Sequence, residues 1–93
     1  MAGEDRELVA RMWEARVAPE QHNATREWAR SVARSAESYP DCEQADVWAA
    51  PPDRVVLITQ WRGAVDPGWS EEATPGAVVK RAHAWTFQKV SPL

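Results

Sequence analysis

Arg54-Val55-Val56-Leu57-Ile58-Thr59-Gln60-Trp61-Arg62 is the stretch whose reading decides the fold. Five β-branched or aliphatic residues in succession, followed by Gln60 and a tryptophan, read as the strongest strand in the chain. Just upstream, Pro51-Pro52-Asp53 is a turn, because two prolines cannot continue a ladder of backbone hydrogen bonds. Before it, Cys42 to Ala50 alternates Ala45, Val47 and Ala49 against Gln44, Asp46 and Trp48. The short turn between these two runs predicts a hairpin. Further upstream, Leu8 to Val17 also has period two, with Val9, Arg11, Trp13, Ala15 and Val17 on one side. Its other side, Leu8, Ala10, Met12 and Glu14, is again mostly apolar.

Between those strands the period changes. Pro19 presets the first turn of a helix, and Glu20 suits the positive end of its dipole. Ala24, Trp28, Val32, Ala36 and Tyr39 then repeat every three to four residues as a narrow apolar stripe. Arg26, Arg30 and Arg34 form a separate row, read as a solvated flank. Pro40 disfavours helical geometry in the residue before it, so the helix ends by about Tyr39. Downstream, Gly63 to Gly76 carries Pro67-Gly68, Glu71-Glu72 and Pro75-Gly76, and predicts a loop with at most a turn of helix. Val78 to Val90 is a last strand, with Val79, Arg81, His83, Trp85 and Phe87 on one face.

The order strand, helix, strand, strand, degenerate segment, strand is the split βαβ plan of a ferredoxin-like α+β fold whose second helix is eroded. Residues 1–93 form a single domain with a core from about residue 8 to 90. One helix cannot cover both faces of a four-stranded sheet whose strands are apolar on each side. A second copy of the sheet is the simplest cover, which predicts a homodimer.

Composition narrows the function classes. The 93 residues include six tryptophans, Trp13, Trp28, Trp48, Trp61, Trp69 and Trp85, against one Phe and one Tyr. A small core is short of apolar area, and indole fills it efficiently; the same rings also line cavities for flat ligands. A net charge of -3, with acids and bases interleaved, argues against nucleic acid as a partner. The longest apolar run is far below the roughly 18 residues of a membrane span, and the acidic Met1 to Glu7 is unlike a signal peptide. No membrane association is expected. A lone cysteine, Cys42, fits a cytoplasmic protein. It has no neighbouring histidine or basic residue to make it a nucleophile. Two isolated histidines and scattered carboxylates lack metal-ligand spacing, so no metal is expected.

Trp13-Glu14-Ala15-Arg16-Val17 running into Pro19-Glu20, then Tyr39-Pro40-Asp41-Cys42, and above all Val55 to Trp61, resemble the antibiotic biosynthesis monooxygenase superfamily. The likeness spans about residues 8 to 90 in element order, on short motifs. It implies a dimeric α+β barrel that binds a flat aromatic metabolite, polyketide or quinol-like. The implied chemistry is oxygenation or rearrangement in secondary metabolism without a bound cofactor. The electrons for oxygen would come from the substrate's own anion. This chain departs from the pattern at Asp41, where the family usually has Gly, and in the near absence of the second helix. The haem-degrading branch needs a histidine on that helix, and Gly63 to Val78 has none.

The same resemblance makes Trp61 a wall of the ligand cleft, with a core position under the helix as the alternative. Trp13 is placed on the same face by alignment of the first strand. His83 is the histidine on a strand; beside Trp85 it is expected to act as general base or hydrogen-bond donor to substrate, or to be a satisfied structural histidine. Arg81 shares its face, and either steadies a phenolate or enolate or pairs with Glu14 or Asp46. His22, in the first helical turn, is expected to face solvent. A reading of a different class is a non-catalytic ligand-binding or scaffold protein whose core and dimer interface consume the aromatics.

Overall fold

The computed structural model describes residues 7–71 and 79–90. The elements are β1 (Leu8–Val17), a 3-10 turn (Pro19–Gln21), α1 (His22–Glu37), β2 (Cys42–Ala50), β3 (Arg54–Arg62) and β4 (Val79–Gln88). The strands form one antiparallel sheet in the order β2-β3-β1-β4. This is the ferredoxin-like α+β arrangement anticipated from the element order. The two inner strands are β3 and β1, the two runs with apolar residues on both faces.

Register places Trp13 opposite Leu57, and Val47 opposite Leu57 on the other side. Odd-numbered residues of β1 and β3, and of β2 beyond its bulge between Cys42 and Gln44, therefore share one face. On that face Trp13, Ala15, Val17, Val55, Leu57 and Trp61 are buried against Ala29, Val32, Ala33 and Ala36 of α1. The helix packs mainly against β2 and β3, and no helix among the described residues lies over β4. Its buried stripe is rotated from the predicted one: Thr25, Ala29 and Ala33 are inside, and Ala24 is exposed. Small residues let the helix axis come close to the sheet. The bulky Trp28 lies on the flank, tilted against Trp13 with ring centroids 5.0 Å apart.

His22 is buried, against the expectation of a solvent-facing side chain; its Nε2 lies 3.0 Å from the carbonyl oxygen of Arg54. The turn Pro19–Gln21 points the first residue of α1 inward over the end of β3, where that carbonyl takes the imidazole as partner. A buried polar ring held this way ties the helix start to the hairpin.

After β3 the chain turns at Gly63, whose φ of 92° is a conformation that side chains with a Cβ rarely adopt. Residues 63–71 have no regular structure, as predicted for this segment, yet Gly68 and Trp69 are hydrogen-bonded to the rest of the fold. Trp69 inserts into the core, tilted against Trp61 with ring centroids 5.3 Å apart, and its indole N–H donates to the Val32 carbonyl at 3.3 Å. The Tyr39 hydroxyl donates to the Gly68 carbonyl at 2.9 Å. Thus an irregular loop closes the end of the core.

Candidate functional site

The helix-side face of the sheet holds a cavity of about 350 Å³, lined by Arg11, Val65, Asp66, Pro67, Trp69, Ser70, Glu71 and Thr86. It lies where α1 does not reach, between the β1–β4 half of the sheet and the 63–71 loop. This size is at the lower end of small-molecule sites, roughly 300–1,000 Å³. Trp69 supplies an aromatic edge, and Trp61 stands directly behind it.

The polar floor is built from the two strands. Arg11 and Thr86 are opposite one another across β1 and β4. Arg11 donates from Nε to Oε2 of Glu71 at 3.1 Å and from Nη2 to Oε1 at 2.8 Å. A third bond runs from Nη1 to the Thr86 hydroxyl at 3.2 Å. Such two-pronged guanidinium–carboxylate contacts are stronger and more directional than single ones. The Glu71 residue is only 5% exposed, whereas the Arg11 side chain keeps 29% of its surface open. Sequence reading passed over this pair. The signal was there in β1: an arginine between Val9 and Trp13 on a buried face needs a partner.

The sequence-derived candidates do not converge. Trp61 is 0% exposed, with its indole N–H donating to the Thr59 hydroxyl at 2.7 Å, and is tilted against Tyr39 and Trp69. Trp13 is buried under α1 beside Trp28. Both are on the helix side, as expected, but as core rather than as cavity lining. His83 and Trp85 are on the opposite face, so the sheet itself separates them from Trp61. A single pocket combining His83 with Trp61 and Trp13 is therefore ruled out within one protomer. The reason is register: His83 pairs with Glu14, and even-numbered residues of β1 point away from α1. Arg81 holds the strand position opposite Arg16, and its side chain lies outside the described residues. Glu14 pairs with Arg54 at 3.3 Å.

That second face bears two smaller hollows. One of about 170 Å³ is polar, lined by Glu14, Arg16, Arg54 and His83. The other, about 210 Å³, includes Leu8, Ala10 and Phe87. His83 is stacked on Trp85 with centroids 5.6 Å apart. Among the described residues, no cluster of three or more His, Cys, Asp or Glu is placed to hold a metal. No helix there is long and apolar enough to cross a membrane. Burial pushes the Cys42 thiol pKa up, aided by the negative charges of Glu37 and Glu43, which keeps it protonated and unreactive.

No protein-family model and no curated protein matches this sequence. Solved structures do. A protein of Nitrosomonas europaea named as an antibiotic biosynthesis monooxygenase superposes with a TM-score of 0.77, at 15% identity, over 95% of each chain. A protein of Bordetella bronchiseptica with the same designation gives 0.70 at 14% identity, covering 92% of this chain and 100% of that one. Another antibiotic biosynthesis monooxygenase gives 0.66 at 13% identity, over 89% and 99%. The chain has the α+β fold of proteins carrying the antibiotic biosynthesis monooxygenase name, with an irregular loop over residues 63–71.

Proposed function

We propose that this protein is a cytoplasmic homodimer that binds a flat aromatic metabolite in the helix-side cavity and oxidises it with dioxygen, without a bound cofactor. The observation that carries this reading is the aromatic-edged cavity floored by Arg11, Glu71 and Thr86. The names of the structural neighbours agree with it. In the simplest balanced reaction, a ring CH₂ made acidic by adjacent carbonyl or phenol groups loses a proton. Its carbanion transfers electrons to dioxygen, one oxygen atom ends as a new C=O, and the other leaves as water with both hydrogens. The protein's part is to hold the ring against Trp69, offer positive charge from Arg11, and keep bulk water out.

The homodimer follows from the uncovered face. Leu8, Ala10, Met12, Val56, Ile58, Trp85 and Phe87 form a continuous apolar surface across β3, β1 and β4, extended onto β2 by Trp48. Trp48 is 61% exposed and Phe87 49%. Monomeric proteins rarely leave such a surface in water, and a sheet face packed on its own copy covers it about 10 Å away. His83 and Trp85 then belong to the intersubunit layer, with His83 a structural contact rather than the catalytic base.

The test is intrinsic fluorescence titrated with hydroxylated polycyclic aromatics, followed by oxygen uptake with those that bind. Saturable quenching that weakens in Trp69→Phe, with oxygen consumed in proportion to product, is the expected result. A flat response across the panel would leave the scaffold reading. The burial of Trp13 and Trp61, whose rings are already taken up by the core, favours that second reading.

A further inference from the structure

The guanidinium of Arg11 in the cavity is already engaged by a carboxylate, and the manner of that engagement says what else can sit there. Two separate donors of Arg11, Nε and Nη2, meet two separate oxygens of Glu71. The third bond, to Thr86 on the neighbouring strand, holds the guanidinium plane in place. Arg11 is thus fixed from the sheet, while Glu71 approaches from the end of an irregular loop. Glu71 is the partner outside the sheet, so replacing it would leave the strand pairing intact.

We propose that Glu71 is a placeholder for the ligand, and that the natural ligand is an aromatic carboxylate whose two oxygens replace those of Glu71 on Arg11. The fork geometry selects an anion with two coplanar oxygens over a phenolate with one. The ring would lie toward Trp69, which edges the same cavity. Exchange of one carboxylate for another preserves the charge balance around Arg11. A neutral ligand would instead leave the Arg11–Glu71 pair in place and use only the remaining space. This inference rests on the cavity being the ligand site, and it names the ligand class that site prefers.

The experiment compares 2-naphthoate with its neutral isostere 2-naphthamide and with 2-naphthol, by fluorescence and calorimetry. Wild type should bind 2-naphthoate at least about tenfold more tightly than the amide, the size of effect expected of a two-pronged charged contact. Glu71→Gln removes the competing charge, so naphthoate affinity should rise several-fold while amide affinity stays put. Arg11→Gln should erase the preference for naphthoate and leave the amide bound. Arg11→Lys, which keeps the charge but loses the fork, should erase most of it. Near-ultraviolet circular dichroism reports whether each variant keeps the native core, and Arg11→Lys serves if Arg11→Gln does not fold. Equal affinities for acid and amide in wild type would overturn the proposal while leaving the cavity reading intact. So would an equal loss of both in folded Glu71→Gln, which would make the pair a brace for the loop. Failure of all three probes and of the hydroxylated polycycles to bind would overturn both readings together.

Discussion

The two faces of this sheet are made by the same strands, and in β1 and β3 by alternate residues of the same apolar runs, yet they end differently. Trp61 on one face is fully buried, its N–H bonded to Thr59 and its ring packed against two other aromatics. Trp48 on the other is 61% exposed. Chemistry of the residue does not distinguish them. What does is the cover: α1 and the loop carrying Trp69 lie over one face, while no helix or loop among the described residues lies over the other. An indole is therefore buried or exposed according to which side of the strand it falls on.

The sharpest way to break this comparison is to remove one ring from each face. Trp61→Ala should destabilise the protomer by about 3–5 kcal/mol, which approaches the whole stability of many small domains. Urea unfolding would report it as a lowered midpoint or as loss of the folded state. Trp48→Ala should change protomer stability by less than about 0.5 kcal/mol. Its effect should appear instead in sedimentation as a weakened dimer, and an unchanged association state would overturn the assignment of that face. Next in size is His22→Ala. Leaving the Arg54 carbonyl without its imidazole partner should cost about 1–3 kcal/mol, read as an earlier urea transition, whereas a surface histidine would cost nothing.

Smaller effects test the edges. The raised pKa of Cys42 means that alkylation at mildly alkaline pH should be slower than in the denatured chain, and should accelerate only above the ordinary thiol range. A rate equal to that of the denatured chain would show the burial of Cys42 to be wrong. At the exposed end of β3, the Glu43 carboxylate accepts a hydrogen bond from Arg62 at 3.0 Å, which lowers its pKa. The folded value is the lower one, so any contribution to stability is present above the ordinary carboxylate range and is lost as pH falls through the folded value. Glu43→Gln should leave the urea midpoint unchanged at physiological salt, because an exposed pair is well screened.

Much of the fold was legible along the chain. The run Val55 to Thr59, the alternation of Leu8 to Val17 and the prolines at 19, 40, 51 and 52 mark element type and ends, since these are local steric and periodic effects. The candidate site was less so. Arg11 was visible as an arginine in a buried stripe, but Glu71 is 60 residues away in sequence and on a loop without periodicity. Trp69, in the same loop, carries no pattern that distinguishes a core plug from an exposed ring. His22 was misread because its partner is a backbone carbonyl on another element, which leaves no mark on the sequence around it.

The sequence by itself determined the strands, the helix, their order, and the fact that both sheet faces are apolar, because period and propensity act between near neighbours. Only the tertiary structure decided which face α1 covers, that His83 and Trp61 lie on opposite sides of the sheet, and that Arg11 meets Glu71 in a cavity beside Trp69. Those outcomes depend on strand register and on the path of an irregular loop. Both are set by packing between residues far apart in the chain.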